Sequence, residues 1–274
     1  MKKISIDRVL FLHAHLLVDG QREYLDGALA VENGRIHTLF PQSDCLYGDY
    51  DAFRRVDMHS ALLQPGYIAP CLINPDTQSL LSQGITGYYG AINTPEEMHD
   101  EPFCLGYILY GKGEEKNWQE WLKRYPRIRA CIGTFSREMH HFCATREIRV
   151  LAPENIEIFV DPLCLAARLA DEKAVKLFTL NPNLVAEMSL LRKATSRFSW
   201  WARPNKNGYQ DLAKLTEYGY RANDLMLMST HNVLKYFADT KERGELLRGK
   251  KADLVCVNRK REVIFCMKEG VIYR

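Results

Sequence analysis

Strand-type runs at both ends of the chain, with a strand–helix alternation between them, constrain its fold more than any other feature. Positions 4–12, 27–32 and 35–40 are apolar and β-branched, and Asn33-Gly34 joins the last two with the strongest two-residue hairpin signal. The final forty residues repeat the style at 252–257, 262–267 and 271–273, with Glu269-Gly270 as a turn. One small sheet assembled from both termini is therefore expected. In the middle, 66–72, 85–89, 104–110, 127–132, 148–151 and 156–160 read as short buried strands. Helical patterns cover 114–125, 170–177, 184–192, 210–218 and 222–237. Within 114–125, Trp118, Trp121, Leu122 and Tyr125 fall on one helix face, a stripe expected to be core. Such alternation predicts an α/β layer architecture with parallel strands.

Composition narrows the class. Hydrophobic residues are 46% and charged residues 26%, enough for a sizeable core, and no apolar run is long enough to span a bilayer. The net charge of +3 offers no basic surface of the kind that nucleic-acid binders carry. Lys2 and Lys3 precede the apolar stretch 9–18, but Asp7, His13, His15 and Asp19-Gly20-Gln21-Arg22 do not suit a cleaved signal, so a mature cytoplasmic start is expected. Eight scattered cysteines with no CxxC read as reduced, half-buried small hydrophobes.

Two segments carry more specific information. Leu63-Gln64-Pro65-Gly66-Tyr67-Ile68, followed by Gln83-Gly84-Ile85-Thr86-Gly87, resembles the "PGFID…G(I/V)T" passage of the amidohydrolase superfamily from a small β-sandwich into the first barrel strand. Gly244-Glu245-Leu246-Leu247-Arg248-Gly249-Lys250-Lys251-Ala252-Asp253-Leu254-Val255 resembles the return, after a helix where that family has "A-T-x-N-P-A". Gly84 to Thr94, Leu105 to Gly111 and Leu151-Ala152-Pro153-Glu154 are most similar to strands of N-acetylglucosamine-6-phosphate deacetylases. The resemblance covers about 26–154 and 209 to the C-terminus. It implies a (β/α) TIM-type barrel on 64–231 and a β-sandwich on 1–63 plus 232–274. Residues 64–231 fall short of the roughly 200 that a complete eightfold barrel rarely goes below, so the barrel is expected to be incomplete or distorted. Phe198, Trp200 and Trp201 are expected to plug the gap, with a subunit contact as the other option.

The resemblance also implies a chemistry: amide hydrolysis by a metal-bound water, with an aspartate moving the proton. The matching positions hold other residues. Cys71 and Ile73 stand where the family has H-x-H or Q-x-N, Ala69 stands for the preceding Asp, and Tyr110 and Ile108 for the Glu and His of "H-L-E-G". Leu180 replaces the histidine of "T-H-L-x-N", and Asp161 is the polar residue nearest the other histidine position. Cys71, Tyr110 and Asp161 are thus the candidate pocket positions, with no metal ligand, no cofactor and no identifiable catalytic residue. His13-Ala14-His15 imitates a ligand pair, but on a sandwich strand; His140-His141 with Cys143 is expected on a polar loop. Arg248, Lys250, Lys251, Arg259, Lys260 and Arg261 read as a solvated hairpin edge. Three readings stay open: a degenerate deacetylase-like protein, an active metal-dependent hydrolase of an N-acetyl amino-sugar phosphate, or a sugar-phosphate-binding or regulatory subunit, possible as a homo-oligomer.

Overall fold

A computed structural model of the protein describes residues 2–44, 46, 48–72, 75–110, 114–151, 176–179, 198–201, 216, 219–260 and 262–274. Strands β1 Lys3–Ser5, β2 Arg8–Leu17, β3 Glu23–Glu32, β4 Arg35–Phe40, β5 Arg54–Asp57 and β6 Leu62–Pro65 come first. Next are β7 Tyr67–Leu72, α1 Thr77–Ser82, β8 Ile85–Ile92, β9 Cys104–Tyr110, α2 Glu115–Arg124, β10 Ile128–Ile132, α3 Arg137–Ala144 and β11 Arg149–Leu151. β12 Lys176–Thr179 and β13 Phe198–Trp201 precede α4 Ala222–Met226, a π-helical turn Leu227–His231 and α5 Asn232–Tyr236. β14 Leu254–Val257, β15 Val263–Lys268 and β16 Val271–Tyr273 complete the chain.

Both termini build one nine-stranded sheet in the order β1-β16-β15-β14-β6-β2-β3-β4, with β5 alongside β2. The Asn33-Gly34 and Glu269-Gly270 turns have positive φ at both residues, as tight hairpins require. They also touch: a Cβ on Gly34 would lie 2.7 Å from the Glu269 carbonyl oxygen, so glycine is needed there for space as well as conformation. The first strand run is interrupted at Ile6-Asp7, where Ile6 N–H donates to Gly270 and the Asp7 carbonyl accepts from Asn33, and it continues to Leu17.

β7 to β11 form a second sheet, parallel throughout, in the order β11-β10-β9-β8-β7. One face packs under α1, α2 and α3, through Leu80, Leu81, Trp118, Leu122, Met139 and Cys143. The aromatic stripe of α2 is core, with Trp118 and Leu122 buried and Trp121 and Tyr125 packed against them. Strong hydrophobic runs with helices on their faces are what parallel strands require. α5 belongs to this part of the molecule as well, since Val233, Leu234 and Phe237 pack on the opposite face.

Two expectations are corrected. Residues 176 and 177, read as the end of a helix, lie in β12, and Phe198–Trp201 is a strand, β13, pairing with it in parallel. A ladder partner overrides local helical patterning at 176 and 177. β12 and β13 form a separate two-stranded sheet, and the backbone of β13 runs beside β7 and the π-helical turn. His140, His141 and Cys143 are on α3, not a loop: Ser136 Oγ accepts the Met139 N–H and caps a helix that buries Met139 and Cys143 one turn apart. The proposed strand 156–160 and helix 184–192 lie outside the described residues, as does 210–218 apart from Thr216. No helix among the described residues is long and apolar enough to cross a membrane.

Candidate functional site

In a barrel of parallel strands the chemistry is carried at the carboxyl ends of the strands, on the face away from the covering helices. Here that inner face is apolar. Ile68, Tyr89, Ala91, Ile108, Ala130 and Leu151 form one buried cluster with Val233, Leu234 and Phe237. The Tyr89 ring stacks on Phe237 at 3.9 Å and 28°, and its hydroxyl donates to Asp239 Oδ2 at 3.2 Å. Burial, reinforced by the Asp239 carboxylate, pushes the Tyr89 hydroxyl well above its ordinary range, so it stays protonated. At the start of β11, Arg149 Nε donates to the Tyr236 carbonyl at 2.7 Å and lies over the Tyr236 ring, anchoring α5.

The predicted pocket positions do not all come together. Tyr110 ends β9 opposite Ile132 in register and packs, half-buried, against the inner apolar cluster. Ile108, two residues earlier, is fully buried there. Ala69 lies with the helix-covered side. Cys71 is placed on β7 by its backbone, while Asp161, Ile73 and Leu180 lie outside the described residues. A divalent cation needs imidazole, carboxylate or thiolate donors, and Ala69, Ile108 and Ile132 supply none. Among the described residues, no three His, Cys, Asp or Glu side chains surround a common point.

The ionisable groups that do cluster lie elsewhere and hold structure. His13 Nδ1 pairs with Asp26 at 3.0 Å and His15 Nε2 with Glu23, both on the nine-stranded sheet. Asp253 accepts from Arg243 Nη1 and Lys268 Nζ, each at 2.8 Å, with all three buried. Burial pushes the Lys268 ammonium below its ordinary range against the pull of Asp253. Glu245 accepts from Lys250 and pairs with His231 Nδ1 at 3.1 Å. The His231 hydrogen bond, with Lys250, outweighs burial and holds its carboxyl at about 2. Lys250, read from sequence as part of a solvated edge, is thus a half-buried ion-pair partner. Its spacing from Glu245 was visible, but its burial was not.

The segments that resemble the amidohydrolases converge on one joint. Gly66 N–H donates to the Asp253 carbonyl at 2.9 Å, and Thr230 Oγ1 donates to the Gly66 carbonyl at 3.1 Å. A Cβ on Gly66 would fall 2.1 Å from Thr86 Oγ1. Pro-Gly, Gly-Ile-Thr, the Thr230 turn and Ala-Asp-Leu-Val therefore meet where the two sheets join.

No family model and no curated protein matches the chain in sequence. Solved structures do. An N-acetylglucosamine-6-phosphate deacetylase from Pasteurella multocida superposes with a TM-score of 0.74 at 11% identity, over 96% of this chain and 98% of that one. The deacetylase from Mycobacterium smegmatis gives 0.70 at 12%, over 96% and 99%. A protein described as a prolidase from Bifidobacterium longum gives 0.70 at 13%, over 99% and 96%. The chain shares the fold of these proteins, and in fold it is similar to N-acetylglucosamine-6-phosphate deacetylases and to prolidases alike.

Proposed function

We propose that this chain is a deacetylase-like amidohydrolase that has kept the architecture of its fold and lost the metal-dependent hydrolytic site. The observation that carries this reading is the pairing of Ile108 and Tyr110 at the end of β9 with an apolar interior, where the resemblance calls for a histidine and a metal-binding glutamate. An aliphatic side chain has no lone pair to offer a cation, and a phenol is not among the imidazole, carboxylate and thiolate donors that hold such an ion. The motifs that remain recognisable around Gly66 make backbone joints and need no catalytic function to be retained.

On this reading the barrel spans 64–231 and is incomplete, the sandwich is formed from 1–63 and 232–274, and the protein works in the cytoplasm without a cofactor. Its role is then binding, with an amino-sugar phosphate as the small-molecule class that the deacetylase likeness suggests. Metal analysis of the purified full chain tests this, together with an acetate-release assay on N-acetylglucosamine 6-phosphate with zinc, iron, manganese or cobalt supplied. No stoichiometric metal and no acetate release are expected. One tightly held metal ion per chain, with acetate release abolished by a chelator, would establish the active-hydrolase alternative instead.

A further inference from the structure

We propose that Cys131 and Cys143 are a thiol pair that closes to a reversible disulfide when the protein meets a peroxide, tying α3 to β10. Their sulfurs lie 3.8 Å apart, in direct contact, and both side chains are fully buried. The other described cysteines are placed differently. Cys104 and Cys266 donate to the carbonyls of Gly106 and Leu81 at 3.2 Å each. Cys256 and Cys266 are on neighbouring strands, but the register sets Cys266 opposite Val255 and sends the two thiols to different cores.

A disulfide needs the sulfurs at about 2.05 Å, so one of the two elements must yield slightly. β10 is hydrogen-bonded on both sides, to β9 and β11, and is the fixed partner. α3 is the yielding one: it has eight residues and buries only Met139 and Cys143. Its start is tied to α2 through Glu115, which accepts from Ser136 N–H at 2.7 Å and from Ser136 Oγ. A short helix held by two buried side chains opens locally far more readily than a central strand, and that opening admits a small oxidant.

Either thiol can donate the hydrogen bond between them, and Cys143, on the yielding helix, is the one that an opening of α3 exposes to the oxidant first. Its thiolate attacks one peroxide oxygen, the O–O bond breaks, and Cys143 becomes a sulfenic acid as the other oxygen leaves as hydroxide, which takes up the proton that the Cys143 thiol released and becomes water. The Cys131 sulfur then attacks the Cys143 sulfur; the S–S bond forms, the S–O bond breaks, and hydroxide leaves with the Cys131 proton as a second water. Two electrons pass from the thiol pair to the peroxide, and a dithiol reductant reverses the step.

The test treats the folded, reduced full chain with hydrogen peroxide, blocks remaining thiols under denaturing conditions and maps the peptides. A Cys131–Cys143 cross-link is expected, removed by dithiothreitol and accompanied by a rise in Tm of about 5 °C. Cys143→Ser should abolish the cross-link and the rise, whereas Cys104→Ser should leave both. The map of the unaltered chain is decisive even if Cys143→Ser does not fold. Recovery of both cysteines as free thiols, oxidation of Cys143 to sulfinic acid with Cys131 unpaired, or bridging seen only in urea-unfolded chain would each overturn the proposal.

Discussion

The two large sheets bury different chemistry. The nine-stranded sheet has an apolar core of its own, and buried charges stand in and beside it, with Asp253 between Arg243 and Lys268 and Glu245 between His231 and Lys250. The inner face of the parallel sheet encloses rings and branched side chains, with the Tyr89 hydroxyl bonded to Asp239. A buried ion pair is fragile in a specific way: removing one partner strands the other, while removing both can be nearly neutral. An apolar interior fails in proportion to the volume removed. Among the described residues, the buried ion pairs therefore lie in and beside the sheet built from the termini, and the inner face of the parallel sheet is held by packing.

The sharpest way to break this contrast is Asp253→Ala. It leaves Arg243 and Lys268 buried without their acceptor and should destabilise by about 3 to 5 kcal/mol in urea unfolding. Adding Lys268→Met should recover a large part of the loss; no recovery would show that the pair is not the source. Phe237→Ala should cost about 3 kcal/mol by emptying the space beside Tyr89, and Phe237→Leu clearly less. Equal losses from both would mean that volume does not govern the inner face.

Glu245 provides a pH test of about 2 kcal/mol. Its folded pKa of about 2 is below the ordinary 4.5, so its contribution is present above about pH 4.5 and is lost as pH falls toward 2. Glu245→Gln should flatten the Tm profile in that window. The smallest effect is expected from Tyr89→Phe, about 1 kcal/mol, because stacking survives and a single hydrogen bond is lost. A loss as large as that of Phe237→Ala would place the weight of the inner face on the hydroxyl instead of the rings.

Much of the fold was legible where local chemistry is sufficient. β4, β9 and β16 have the bounds read from their apolar runs, and both positive-φ turns follow from Asn-Gly and Glu-Gly. α1 and α3 were missed, although each carries a signal. Asp76 accepts the Ser79 N–H and Ser136 caps Met139, each ahead of a short apolar repeat. The paired histidines of α3 obscured its pattern, since its buried face is only two residues wide. Of the candidate site, the resemblance singled out Ala69, Ile108 and Tyr110 by position. It did not show that Ile108 and Tyr110 would face α5 residues in the interior, or that Ala69 would lie toward the helices.

The sequence by itself determined the strand runs and the turns, because residue type and spacing fix those locally. Tertiary structure alone decided that Gly66, Thr86, Thr230 and Asp253 meet at one joint, and that Cys131 touches Cys143. It also decided that 176–179 and 198–201 pair as strands. Such contacts depend on how distant segments close against one another, and the chain encodes them only through the packing of the whole.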